Sequence, residues 1–215
     1  MTTTTAPVEN LHHHHDPNYH TFSQYYEAVQ GRPPRDTLLF ALDKFDTEST
    51  DHQRFSVDLG CGDGRDTVEI LRRGWQVLAV DKETDAIARL IQRTDLTPTH
   101  LETQVESFET FLFPPQVDLI NASFCLQFCP AEAFPAFWNR AIAALVPGGR
   151  FSGQLIGDRD SWNQYDNMSC HTLEAVQKFF KDFEFDFFEE EEHPGKTALG
   201  EEKYWHIFQI VARKK

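Results

Sequence analysis

The chain has 215 residues, the length of one ordinary domain with room for a terminal extension, and can bury a full core without disulfides or metals. Its 34 acidic residues outnumber 20 basic ones for a formal net charge of −14, and the short basic stretches "LRRG" and "ARKK" make no stripe, so neither nucleic acid nor an anionic membrane is expected as a partner. No run approaches the roughly 18 apolar residues of a membrane helix, no charged-then-apolar leader is present, and Cys61, Cys125, Cys129 and Cys170 form no C-x-x-C pair, so a cytoplasmic protein with reduced thiols is expected, monomeric or homodimeric.

Residues 1–20 are rich in threonine and then histidine, without periodicity, and read as a flexible tail before a single domain over 21–215. The tract His12–His15 has the composition of a metal binder or of a stretch without function; no metal site is expected. Thr21–Gln30 reads as a short helix ended by Gly31. "RPPRDTLLFALDKF" opens a second with prolines and continues with Leu38, Leu39, Ala41, Leu42 and Phe45.

Strands and helices then alternate. Phe55–Leu59 is a strand, and Asp63–Arg73 a helix with Val68, Ile70 and Leu71 to pack. Trp75–Asp81 is a strand, and "ETDAIARLIQR" a helix with Ile87, Leu90 and Ile91 on one face. Strands follow at "THLETQV" and Val117–Ser123. A helix over "PAEAFPAFWNRAIAALVPGG" is closed by Pro147-Gly148-Gly149, and Arg150–Gly157 is the fifth strand. Continuous apolar strands separated by helices predict a mostly parallel, doubly wound sheet covered on both faces. After the helix "HTLEAVQKFF", the segments "FEFDFFEEEE" and "YWHIFQIVARK" predict an antiparallel hairpin at the sheet edge, for seven strands of Rossmann-like α/β architecture.

"VDLGCGDGRDT" (57–67) stands at the carboxyl end of the first strand, where open α/β sheets bind ligands. Gly60, Gly62 and Gly64 let a backbone approach a ligand closely. A dinucleotide fingerprint, G-x-G-x-x-G, would put its third glycine at Arg65, and a pyrophosphate would meet Asp58 and Asp63. A cofactor with a cationic amine fits better, with Asp58 to hold an ammonium. Asp81, ending the second strand, suits the hydroxyls of a ribose.

"VDLGCGDG", the acid of "VLAVD", "VES", "DLINAS" and "LVPGGRF" together resemble a class I S-adenosylmethionine-dependent methyltransferase over about Phe55–Gly157. The resemblance implies S-adenosylmethionine as cofactor and assigns Asp58, Gly60, Cys61 and Gly62 to the donor-binding turn. It assigns Asp81 to the ribose, Lys82 to the adenine face, and Glu106 with the Ser107 N–H to the adenine edge, although the family more often has Asp where this chain has Glu106. Asn121 and Ala122 end the fourth strand, facing the methionine amine. Residues before the first strand often close over the donor in small-molecule members. "YYEAVQGRPPR" offers Tyr25, Tyr26, Arg32 and Arg35 there, with Tyr25 and Arg32 the preferred ligands.

The short chain with leading lid helices resembles the tellurite-resistance and thiopurine type, which implies a small-molecule acceptor with a soft S, Se or Te nucleophile. Transfer is then an in-line displacement that needs no obligatory general base. Arg159 is the candidate clamp for an anionic acceptor and His171 the candidate base; His206 is a further histidine of the last strand. "SFCLQFCP" lacks the Asn-Pro-Pro-aromatic loop of nucleic-acid base methylases. An O- or N-methyltransferase acting on a small carboxylate or protein side chain, a non-catalytic donor-binding protein, and more distantly a dinucleotide oxidoreductase remain alternative readings.

Overall fold

A computed structural model describes residues 22–96 and 98–215; the tail, the His12–His15 tract and Thr21 lie outside them. Two helices, α1 (Phe22–Val29) and α2 (Asp36–Asp46), precede the sheet. The alternating part comprises β1 (Phe55–Leu59), α3 (Thr67–Arg72), β2 (Gln76–Asp81), α4 (Thr84–Ile91), β3 (Leu101–Val105), β4 (Val117–Ala122), α5 (Phe134–Ala144) and β5 (Leu145–Ile156). The chain ends with α6 (Leu173–Phe179), β6 (Phe183–Lys196) and β7 (Glu202–Lys214). The seven strands form one sheet in the order β3-β2-β1-β4-β5-β7-β6. The first five pair in parallel, and β7 runs antiparallel to both β5 and β6.

The central strands are buried on both faces, as their unbroken apolar runs require. One face packs against α2, α3 and α4 through Leu38, Leu42, Ile70, Ile87 and Leu90. The other packs against α5 and α6 through Phe134, Phe137, Trp138, Val176 and Phe180. Among the described residues no helix is long and apolar enough to cross a membrane.

Three sequence expectations shift. The helix expected from Asp63 begins only at Thr67, because Gly64 has φ +88° and the Asp66 carboxylate makes no cap bond to the helix. The helix expected to be closed by Pro147-Gly148-Gly149 ends earlier, at Ala144. Proline disfavours helical backbone in the residue before it and cannot donate to the helix ladder, so 145–149 join β5 instead, with a register shift between Val117 and Leu119 of the neighbouring strand. Ile91, expected on the packed face of α4, closes the helix and is 59% exposed.

Candidate donor site

The turn after β1 takes its shape from residues that only glycine can replace. Gly60 has φ +58°, and a Cβ there would lie 2.4 Å from the Cys125 Cβ. Gly62 has φ +56° and lies under the Tyr26 ring, 3.1 Å from where its own Cβ would be. The Gly62 N–H donates to Asp81 Oδ2 at 2.9 Å, and the Glu83 N–H to Asp81 Oδ1 at 2.9 Å. The acid at the end of β2 is thereby fixed against the glycine turn with lone pairs to spare. Burial raises its pKa, against those two backbone bonds.

A cleft of about 410 Å³ opens over this turn, with Tyr25, Tyr26 and Val29 of α1 on its wall. Cys61 lines it too; its thiol points back to the Gly62 carbonyl at 3.7 Å, and burial pushes its pKa up. Two guanidinium groups reach the same cleft. Arg35 lies 4.4 Å over the Phe124 ring, whose backbone is left-handed at φ +50°. Arg65 donates through Nε to the Pro33 carbonyl at 2.5 Å. Its Nη1 is buried and has no hydrogen-bond partner among the described residues, an arrangement that costs free energy until an anion arrives.

The cleft also carries acid. Asp58 is 1% exposed; its Oδ1 accepts from Asn121 Nδ2 at 2.9 Å and its Oδ2 from the Thr67 hydroxyl at 2.5 Å. Asp66 accepts from the Arg35 N–H at 2.9 Å, the Ser123 hydroxyl at 2.6 Å and Asn121 Nδ2 at 3.1 Å. Burial, and then the Asp66 charge, push the Asp58 carboxyl up to about 7. Acid and guanidinium groups facing one cleft suit a zwitterionic amino-acid end, and Asp81 beside the turn suits a sugar diol.

The methyltransferase-domain family profile matches residues 57–149, the span that holds this turn and its acids. Over residues 57–149 the chain is similar to a methyltransferase domain. No curated protein sequence matches the chain. Among solved structures, TehB from Haemophilus influenzae superposes with a TM-score of 0.69 at 19% identity, covering 81% of this chain and 61% of that one; the chain thus spans less than two thirds of TehB. The N-methyltransferase NodS from Bradyrhizobium japonicum, solved with S-adenosyl-L-homocysteine, gives 0.63 at 15% identity over 90% of this chain and 87% of that one. A SAM-dependent methyltransferase from Methanosarcina mazei gives 0.59 at 17%, covering 79% and 96%. These likenesses show a shared Rossmann-like fold. The orphaned Arg65 Nη1 and the lone pairs left on Asp58 and Asp81 fit the carboxylate, ammonium and ribose of S-adenosylmethionine.

The fold places the other expected donor ligands unevenly. Asn121 is fully buried as a hub: its amide serves Asp58 and Asp66, and its Oδ1 accepts from the Ser152 hydroxyl at 2.7 Å. The Ala122 carbonyl lies against Gly153, and Ser123, one residue on, is what reaches the cleft. Lys82 is exposed beside β2, its Nζ 5.5 Å from the Phe22 ring. Glu106 continues from β3, its N–H donating to the Asp81 carbonyl at 3.0 Å. Its Oε1 accepts from the Thr110 hydroxyl and, at 3.2 Å, from the Ser107 N–H, which hold its carboxyl below the usual range. The Ser107 N–H is therefore engaged locally, and must leave that bond to meet an adenine ring nitrogen.

Three expectations are corrected. Arg32 does not line the cleft: it follows the Gly31 turn on the exposed side and donates to the Ala28 carbonyl at 3.3 Å, while Arg35 and Arg65 take the position expected of it. Arg159 is not an open clamp. Its Nη2 donates to Glu190 at 2.7 Å and Glu192 at 2.6 Å and lies 3.1 Å from His206 Nε2. It fills the centre of Glu190, Glu192 and His206, the one cluster of possible metal ligands among the described residues. His171 is not in the cleft either. Its ring packs 4.4 Å from Phe134 and 5.2 Å from Phe179, and burial pushes its imidazole down to about 4. His206 is fully buried, with Nδ1 accepting from the Arg159 N–H at 3.1 Å.

Asp66, Arg65 and Ser123 were not anticipated. The first two sit inside "GRDT", in the turn that runs on to Asp66, whereas the sequence reads as a helix from Asp63. Ser123 ends the fourth strand's quoted segment. Beyond the cleft, aromatic rings succeed one another at the carboxyl edge: Phe22 to Phe128 at 5.7 Å, Phe128 to Trp162 at 6.3 Å, Trp162 to Trp205 at 5.7 Å and Trp205 to Phe124 at 6.2 Å. Beneath the two tryptophans lies Lys203, ion-paired with Asp160, with its Nζ 3.8 Å from the Trp162 ring and 4.4 Å from that of Trp205.

Proposed function

We propose that the chain transfers a methyl group from S-adenosylmethionine to a small acceptor that is already nucleophilic at neutral pH, such as a thiolate or a selenium or tellurium oxyanion. The donor supplies an electrophilic methyl on a positively charged sulfur. Asp81 accepts from its ribose, Arg65 and Arg35 take its carboxylate, and Asp58 receives its ammonium through the buried hydrogen-bond network. Lys82, Glu106 and Ser107 flank the adenine, and Tyr25 and Tyr26 on α1 cover the turn. Alignment of the acceptor and exclusion of water then carry the rate.

The observation that carries the acceptor reading is the absence of histidine from the cleft wall among the described residues. His171 is held neutral among phenyl rings, and His206 is bonded on both nitrogens. An alcohol needs a base at the moment of transfer; a thiolate does not. The aromatic rim around Phe128, Trp162 and Trp205 supports the same reading, because it offers a soft, poorly hydrated surface.

The test is a rate comparison with labelled donor and a panel of thiols, selenite, tellurite, phenols and amines at pH 7.5. Turnover confined to the first three classes, with His171→Ala retaining wild-type kcat on thiols, is the expected outcome. Phenols or amines methylated while thiols stay idle would overturn the acceptor class.

A further inference from the structure

The donor cleft carries a second buried acid beside the one a first-strand motif supplies. Asp58 and Asp66 are 1% and 5% exposed, and one amide, Asn121 Nδ2, donates to both. Their other donors are neutral: the Thr67 hydroxyl on Asp58, and the Ser123 hydroxyl and Arg35 backbone N–H on Asp66. Among the described residues no lysine, arginine or histidine side chain is hydrogen-bonded to either carboxylate. The charged and titratable groups around the pair are Asp81 from the end of β2, Asp63 and the Cys61 thiol on the turn, the Cys125 thiol after β4, Tyr25 and Tyr26 of α1, and Arg65 and Arg35 at the cleft wall. Two carboxylates bridged by one amide, out of water and without a bonded cation, do not both ionise freely.

We propose that Asp58 and Asp66 form one two-carboxylate seat for the donor's cationic centres, that Asp66 is a donor-binding residue in its own right, and that the donor's arrival expels a proton which the free pair holds. This rests on the donor reading of the cleft. An ionised carboxylate offers about four lone-pair sites. The bonds already made use two on Asp58 and three on Asp66, so each retains capacity for an incoming ammonium. The proton balance is simple: the pair passes from one negative charge to two, the proton goes to solvent, and the ligand's ammonium and sulfonium supply the compensating charge. The thioether product keeps the ammonium and lacks the sulfonium charge, so the same pair holds it less tightly and favours its release.

Proton-counting calorimetry of the full chain tests this. S-adenosylmethionine is titrated at pH 6 and pH 7, where its amine is charged, in two buffers of different ionisation enthalpy. With the free Asp58 carboxyl at about 7, nearly one proton is released per donor at pH 6 and about half at pH 7. Asp58→Asn abolishes the release. Asp66→Asn leaves the burial of Asp58 but removes the like charge that adds to it in holding the proton, so release at pH 6 falls, and donor affinity drops about tenfold or more. A wild-type count near zero at both pH values overturns the proposal even if neither variant folds; so does Asp66→Asn with unchanged affinity and unchanged count. No saturable binding by the folded wild type overturns the donor reading itself, a different result from binding without proton release.

Discussion

Asp81 makes its case through two backbone bonds. It accepts the Gly62 and Glu83 N–H groups at 2.9 Å each, so one carboxylate fixes the glycine turn and presents its remaining lone pairs beside it. Asp81→Ala removes both tasks. The expected loss is about 1–3 kcal/mol of donor binding, seen as a roughly 5- to 150-fold rise in Kd by equilibrium titration of a variant with native circular dichroism; unchanged affinity would remove Asp81 from the site. His171 makes the opposite case, a buried base with a structural role. Its folded-state pKa, about 4, lies below its ordinary value, so the unfolded chain takes up a proton first as pH falls. Its contribution is present above about 6.5 and is lost between 6.5 and 4. Asp58 has the reverse sign: raised to about 7, its protonated form favours the folded state at low pH, and that benefit fades as pH rises through 7. The two trends oppose each other between pH 4 and 6.5. His171→Phe removes one of them, so urea denaturation should show the variant gaining on wild type as pH falls across that window, by about 2–3 kcal/mol at pH 4. A pH-independent difference would mean that His171 titrates normally.

At the scale of elements, the site depends on how closely β5 approaches the end of β4. Gly153 stands opposite Ala122, and a Cβ there would fall 2.1 Å from the Ala122 carbonyl oxygen, a backbone atom that cannot step aside. Gly153→Ala is expected to cost about 3 kcal/mol or more of stability by chemical denaturation and to displace the strand end from which Asn121 and Ser123 reach the two acids. A shift below 0.5 kcal/mol would show that β5 has slack at this point. The alternation of strands and helices, the parallel core and the closing hairpin were legible in the sequence because continuous apolar runs of five or six residues have few other destinations. The exit of α5 was not. Helical periodicity runs past Ala144, and only the rule that the residue before Pro147 avoids helical backbone marks the earlier end. The start of α3 was hidden because "GRDT" reads as a helix start, whereas the Asp66 carboxylate turns toward Arg35, Asn121 and Ser123, partners 31 to 57 residues away.

Over the whole molecule, what could be read in advance was the set of stations along the sheet edge; what could not was the competition for charged side chains. Arg32 and Arg35 are both near the right place in the chain, and the Gly31 turn leaves Arg32 exposed while Arg35 reaches the cleft. Arg159 sits at the carboxyl edge as expected, yet β6 brings Glu190 and Glu192 to it. Arg72, Arg73, Arg89, Arg93, Arg150 and Arg159 are ion-paired with acid, whereas Arg35 and Arg65 line the cleft, as the proposed binding of a carboxylate requires. The site stands or falls with S-adenosylmethionine binding in this cleft. Calorimetric titration of the folded protein with S-adenosylmethionine and, separately, with NAD decides it. Saturable one-site binding of the methyl donor and none of the dinucleotide is expected; NAD binding without donor binding would overturn the assignment.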